Sequence, residues 1–144
     1  MSDRFLTVLV MLALVAGALY LLRDRIPSPN VSRERPFFSS TGQRVLPSID
    51  GSPTFEVLSQ PGMAGPQYFC AAAEYARSVL RADMSDVLVT LTPEARSESS
   101  PDHRGVLFEL RPASEIGSTQ AGIVIDLSQP GQSRSITIAM TFCR

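Results

Sequence analysis

Hydrophobic and polar residues are distributed unevenly along this chain. An uncharged, strongly apolar run extends from Phe5 to Leu22 near the amino terminus. Beyond this run, apolar residues recur only at the short periods of amphipathic helices and strands, as in a water-facing domain. The pattern therefore predicts a segment of membrane-spanning length followed by a small domain.

The run Phe5–Leu22 has the length of a transmembrane helix. As a helix it would extend about 27 Å, close to the hydrocarbon thickness of a bilayer. We therefore predict a single-pass membrane anchor within residues 1–25. A cleavable signal peptide is the competing interpretation, because Ala16-Gly17-Ala18 offers the small residues that signal peptidase requires.

The two flanks of the apolar run give opposite indications about orientation. Arg23 and Arg25 outnumber the single flanking Arg4, which favours a cytoplasmic domain. An apolar segment at the amino terminus usually exports the domain that follows it, and a cysteine pair suits an oxidising compartment. We expect an inner-membrane protein whose domain faces the periplasm, or a secreted periplasmic domain if the segment is cleaved.

Prolines dominate the stretch that follows the apolar run. Residues 26–53 show no sustained periodicity and contain five of them, Pro27, Pro29, Pro36, Pro47 and Pro53. Such a stretch favours extended or turn conformations. We predict a tether over 26–53 and a domain over 54–144. Phe37 and Phe38 are expected to dock onto the domain, with insertion into the membrane interface as the alternative.

One helix is predicted in the domain, from Gly65 and Pro66 to about Ala82. Proline suits the first helical position, where its missing N–H leaves no hydrogen bond unmade. The apolar residues at helical spacing form one face, namely Phe69, Ala72, Ala73, Ala76, Val79 and Leu80. The alanines on this face permit a close approach to a sheet.

Alternation of apolar and polar residues predicts the strands of that sheet. The predicted strands cover residues 54–57, 87–92, 106–111, 123–128 and 135–142. Gln129-Pro130-Gly131-Gln132 indicates a hairpin turn between the last two strands. Because no helices separate the later strands, we predict an α+β domain with one helix on an antiparallel sheet of four or five strands.

Cys70 and Cys143 are the only cysteines. We predict a disulfide bond between them, which would close a loop of about 74 residues and contribute ~4 kcal/mol. However, Cys143 has the opposite parity from Ile136 and Ile138 in the predicted last strand, so an ideal strand would point it away from the helix. A bulge, an edge twist or departure from the sheet would turn it back. The alternative is a reactive thiol at Cys70, near the helix amino terminus.

Apart from Cys70, the candidate catalytic and metal-binding residues lie in one polar, proline-broken loop, residues 92–104. Glu94, Glu98, Asp102 and His103 lie there, but a solvated loop supplies neither convergent ligands nor a dry pocket. There is no Gly-x-Ser-x-Gly elbow and no phosphate-binding glycine loop. We therefore expect no catalytic, metal-binding or cofactor-binding residues, no cofactor and no enzymatic activity.

Charge and composition exclude further classes of protein. Hydrophobic residues make up 44% of the chain and charged residues 19%, with a net charge of −1. All 13 basic residues are arginine, and they form no dense patch, which argues against nucleic acid as a partner. Two cysteines exclude a disulfide-dense scaffold and a four-cysteine zinc site.

The segment Tyr68–Ala76 carries the one resemblance that we find. Its aromatic-Cys-Ala-Ala sequence, together with the penultimate Cys143, resembles small uncharacterised exported proteins of alphaproteobacteria. This resemblance implies export and a disulfide bond, and it implies no activity.

The expected function is a non-enzymatic binding or scaffolding role in the cell envelope, with the membrane and another envelope protein as partners. The alternative is an accessory subunit of a larger membrane complex that acts through its transmembrane helix. Ala13 and Gly17, four residues apart, would permit close helix contact in that case. The sequence leaves the oligomeric state open.

Overall fold

The computed structural model describes residues 35–48, 52–117 and 124–144. The predicted membrane segment Phe5–Leu22 lies outside these ranges. Within them, no helix is both long enough and apolar enough to cross a membrane.

The domain is built on one antiparallel sheet, which confirms the α+β class. Its strands run in the order β1-β2-β3-β6-β4-β7, and β5 pairs with β6 outside this path. In the described ranges the sheet has seven strands rather than four or five: β1 (Phe37–Phe38), β2 (Arg44–Pro47), β3 (Thr54–Leu58), β4 (Val87–Thr90), β5 (Ala95–Arg96), β6 (Arg104–Arg111) and β7 (Ser133–Ser135).

Among the residues that the structure describes, two α-helices and one short 3₁₀-helix accompany the sheet. Helix α1 is Gly65–Ser78, α2 is Ile136–Met140, and the 3₁₀-helix is Ala113–Glu115. A proline stands in the first turn of α1, as predicted, and the Ala64 N–H donates to the Gln67 side chain at 2.7 Å. The helix ends four residues before the predicted Ala82.

The core lies between α1 and one face of the sheet. Phe69 of α1 meets Phe108 of β6 edge-on, with ring centroids 5.1 Å apart, and Phe55 of β3 contacts Tyr75 at 4.7 Å. The predicted face is buried over its first four residues, Phe69, Ala72, Ala73 and Ala76, whereas Val79 and Leu80 lie beyond the end of α1 and are partly buried. The alanines of α1, including Ala72 and Ala76, have no exposed surface, which allows the helix to approach the sheet closely.

The sheet begins inside the segment predicted as a tether. Strands β1 and β2 lie within residues 26–53, so that segment is not a tether along its whole length. The two phenylalanines of β1 behave differently. Phe37 docks on Tyr75, with ring centroids 5.6 Å apart, whereas Phe38 is 60% exposed.

The predicted strand over 123–128 is wrong in the part that the structure describes. Residues 124–127 form no strand, because β7 occupies the edge of the sheet beside β4. Ile125 and Leu127 still pack against the core, which explains their alternation. The buried Arg134 of β7 holds this segment through a 3.2 Å hydrogen bond to the carbonyl of Val124.

The predicted strand over 135–142 is also wrong, since Ile136–Met140 form helix α2. The Ser135 hydroxyl caps this helix by accepting a hydrogen bond from the Ile138 N–H at 3.3 Å. Ile136 and Ala139, three residues apart, are both buried. The turn at Gln129–Gln132 therefore leads into β7 rather than joining two long strands.

Candidate functional site

A cleft of about 600 Å³ opens on the face of the sheet opposite α1. The strand residues that line it alternate with the core residues of β2, β3 and β6, so they point away from the helix. We call it the Glu56 cleft and define it by its lining residues: Leu46, Ser48, Ser52, Thr54, Glu56, Thr92, Ala95, Arg96, Glu98, Ser99, Gly105 and Leu107.

Glu56 lies on the floor of this cleft and is only 6% exposed. Its Oε2 atom accepts a hydrogen bond from the Ser97 hydroxyl at 2.7 Å and a longer one from the Ser99 N–H at 3.5 Å. Within the ranges that the structure describes, no group donates a hydrogen bond to Oε1 and no cation pairs with the carboxylate. One oxygen of a largely buried carboxylate is thus left to face the cleft.

The segment between β4 and β6 covers one side of the cleft. Strand β5 pairs with β6 through Ala95 opposite Gly105, which folds this segment back over the sheet. Ser97 is 2% exposed, and its hydroxyl also accepts from the Ser100 N–H at 2.8 Å. The interpretation of residues 92–104 as a solvated loop is therefore wrong, because part of the segment is a strand and its centre is buried against Glu56.

The absence of a side chain at Gly105 leaves space for the Glu56 carboxylate. A Cβ atom at residue 105 would stand 2.7 Å from Glu56 Oε1 and 3.0 Å from the carbonyl oxygen of Val57. Such distances are shorter than van der Waals contact, so any larger residue would displace the carboxylate or the strand. The position of Glu56 therefore depends on a glycine in the neighbouring strand.

Arg96 and Glu98 contribute opposite charges to the lining of the cleft, and both are exposed. Neither forms an ion pair with another described residue. The lining groups together carry two carboxylates and one guanidinium. The buried charge in the cleft is therefore negative.

Glu94 belongs to a second polar cluster, beside the start of α1. Its carboxylate accepts from the Ser59 hydroxyl at 2.9 Å and lies 3.4 Å from Arg104 Nε. Burial raises the pKa of the nearby Tyr68 phenol, and a hydrogen bond with Ser59 opposes that rise. This cluster joins α1 to β3 and β6, which indicates a structural role.

The two predicted disulfide partners are brought together. Cys70 and Cys143 are bonded, with Cα atoms 5.1 Å apart and 73 positions of sequence between them. Because α2 is a helix rather than a strand, the strand parity that would point Cys143 away does not apply. The bond joins α1 to the turn after α2.

Glu74 stands beside the disulfide bond. Its carboxylate and the two sulfurs lie within 4.8 Å of one another, the one such group of potential metal ligands in the described part of the chain. The sulfurs are bonded to each other, and Glu74 accepts from the N–H of Ser40 at 2.6 Å and from the hydroxyl of the same residue. These contacts give Glu74 a structural role.

The remaining loop candidates are dispersed. Asp102 is exposed, and the ring of His103 is hydrogen-bonded to the Ser100 hydroxyl at 2.9 Å. Glu98 lines the cleft, but neither Asp102 nor His103 does. The four loop candidates therefore do not form one site.

Comparison with models of protein families, with curated proteins and with solved structures found no match to this chain.

Glu56 itself was missed by sequence reasoning. It occupies a polar position in the alternation of β3, and such positions normally face solvent. Its burial comes from Ser97, 41 residues away in sequence, and no local pattern shows that contact. The one available signal was a carboxylate between the apolar Phe55 and Val57, which is weak.

Proposed function

We propose that this protein is a membrane-anchored, exported binding domain of the cell envelope with a non-enzymatic role. The Glu56 cleft is the observation that carries the proposal. Its volume of about 600 Å³ falls in the range of ligand pockets, and eight of its twelve lining residues are polar or charged, including the buried Glu56.

The proposed location draws its support from two other features. The apolar run Phe5–Leu22 is long enough to serve as an anchor. The bond between Cys70 and Cys143 suits an oxidising compartment such as the periplasm. A domain held at the membrane in this way meets other envelope proteins at high local concentration, so we propose that its partner is one of them.

Photo-cross-linking in the intact envelope tests the proposed function. A benzophenone amino acid is placed at Leu107, in the wall of the cleft, and in a control chain at Ser78, the exposed end of α1 on the other face. We expect one envelope protein to be captured from Leu107 and not from Ser78. Equal capture from both positions, or none from Leu107, would contradict the proposal.

The alternative function, an accessory subunit acting through its transmembrane helix, makes a different prediction. It is motivated by the small residues Ala13 and Gly17 in the apolar run. Purification in mild detergent, with and without residues 1–25, separates the two. Loss of every partner on deletion, together with no capture from Leu107, would favour the alternative.

A further inference from the structure

The floor of the Glu56 cleft places a carboxylate between two aliphatic side chains. Leu46 of β2 and Leu107 of β6 are the direct Cα partners of Glu56 on the neighbouring strands. A ligand with an aliphatic stem and a cationic end would pack against the leucines and reach the carboxylate. Glu56 and its two leucine neighbours therefore favour a ligand whose end group is cationic over one whose end group is neutral or anionic.

The two oxygens of Glu56 are not equally available. Oε2 already accepts a hydrogen bond from the Ser97 hydroxyl, while Oε1 receives no hydrogen bond from the described residues. A guanidinium group binds best when both carboxylate oxygens meet its planar fork, whereas an ammonium group is a compact charge that one oxygen satisfies. The occupied Oε2 therefore favours an ammonium group over a guanidinium group.

Other groups on this face fit the same ligand. Thr54 and Thr92 also line the cleft. The Thr54 hydroxyl is hydrogen-bonded to the Ser52 hydroxyl and the Thr92 hydroxyl accepts from the Leu107 N–H, but a hydroxyl oxygen has two lone pairs, so each has capacity for a further hydrogen bond. Arg96 and Glu98 offset each other, and Arg44, on the same face of β2, forms no ion pair with Glu56. The buried charge of Glu56 thus stays available to a ligand.

The chain itself contains no lysine. Apart from the amino terminus, an ammonium group in the cleft must therefore come from another molecule. We propose that the Glu56 cleft binds the ammonium group of a lysine-like ligand at Glu56 Oε1. This inference rests on the proposed binding function, and the group belongs either to a lysine side chain of an envelope protein or to a free alkylamine.

A titration of the full chain in mild detergent, followed by NMR chemical shifts, tests the chemistry of the ligand. The probes are Nα-acetyl-lysine amide, its uncharged analogue Nα-acetyl-norleucine amide, Nα-acetyl-arginine amide and pentylamine. We expect the lysine probe to bind at least about tenfold more tightly than the norleucine probe, and more tightly than the arginine probe. Equal affinity for the lysine and norleucine probes would overturn the inference.

Two matched variants locate the ammonium group. Glu56→Gln preserves the size of the side chain and removes its charge. It is expected to lower the affinity for the lysine probe by about tenfold or more. Glu115→Gln makes the same change at an exposed position of the 3₁₀-helix, outside the lining of the cleft, and it is expected to change the affinity by less than about threefold. The inference fails if Glu56→Gln binds the lysine probe as the parent does.

A carbodiimide cross-link between Glu56 and a lysine of the captured protein, mapped by mass spectrometry, identifies a protein source. Pentylamine binding without any captured protein would instead identify a free amine and contradict the proposed protein partner. If Glu56→Gln does not change the capture of a protein from Leu107, the proposed binding function is retained and the proposed binding of an ammonium group at Glu56 is refuted. Absence of both capture and probe binding would refute both proposals.

Discussion

At the scale of single residues, Gly105 and Glu56 depend on each other. Gly105→Ala would place a methyl group 2.7 Å from Glu56 Oε1. We expect the variant to lose about 1–3 kcal/mol of the free energy of unfolding, because either the carboxylate or the strand must move. Urea denaturation measures the loss.

Gly117→Ala is the matched control for this variant, since a Cβ atom there meets no atom within 4 Å. We expect its free energy of unfolding to stay within about 0.5 kcal/mol of the parent. Equal values for the two alanine variants would show that Gly105 is not needed for close packing against Glu56.

Burial also raises the pKa of the Tyr75 phenol. The folded state then holds the phenolic proton more tightly than the unfolded state, whose pKa is about 10. The free energy of unfolding should therefore be steady below about pH 10 and fall as the pH rises from there toward the folded pKa. Tyr68 contributes in the same direction.

Urea denaturation of the parent and of Tyr75→Phe at pH 8 and pH 11 tests this dependence. The variant lacks the ionisable group, so its loss of stability between the two pH values should be smaller than that of the parent. A loss of the same size in both proteins would mean that Tyr75 does not contribute to the alkaline destabilisation.

At the scale of elements, α2 is the clearest case in which local pattern and structure disagree. Ile136, Ile138 and Met140 alternate as in a strand, yet Ile136 and Ala139 are buried with helical spacing. The Ser135 cap and the packing of this short helix beside α1 outweigh the β-propensity of the isoleucines. One feature of the sequence opposed the predicted strand over 135–142: Cys143 would lie on the opposite face of that strand from Ile136 and Ile138, away from Cys70.

Removal of the α2 cap tests this assignment. Ser135→Ala deletes the hydroxyl that accepts from Ile138 N–H and should lower the free energy of unfolding by about 1 kcal/mol. Ser78→Ala, the same change at the exposed end of α1, should alter it by no more than about 0.5 kcal/mol. Chemical denaturation that finds no difference between the two variants would refute the capping role.

Strong periodic elements were predictable from the sequence, and the candidate site was not. Helix α1 and strands β3, β4 and β6 lie where local periodicity predicted them. Burial is not confined to one face of the strands, however, because Val87 and Leu88 of β4 are both buried. Strands β1 and β5 have two residues each, too few for any period to show. The cleft depends on contacts between residues distant in sequence, such as Ser97 with Glu56, which periodicity does not reveal.

At the scale of the whole molecule, the disulfide bond ties the turn after α2 to α1. Reduction, or replacement of Cys70 and Cys143 by alanine, would release a loop of about 74 residues in the unfolded chain. The free energy of unfolding should then fall by about 4 kcal/mol. This loss is comparable with the stability of many small domains.

Thermal denaturation with and without a thiol reductant measures this contribution. The parent should unfold at a lower temperature in the reductant, and the doubly substituted chain should be insensitive to it. A parent whose unfolding temperature does not respond, with its thiols shown to be reduced, would contradict a stabilising role for the bond.

If Glu56 is a binding group, the domain retains it at a cost in stability. A buried carboxylate without a cation opposes folding, and Gln of the same size can still accept the Ser97 hydroxyl. The free energy of unfolding of Glu56→Gln is therefore the most direct measurement. We predict a value equal to that of the parent or up to about 2 kcal/mol higher. A decrease of more than about 1 kcal/mol would show that Glu56 stabilises the fold and would contradict a binding group that is retained at a cost in stability.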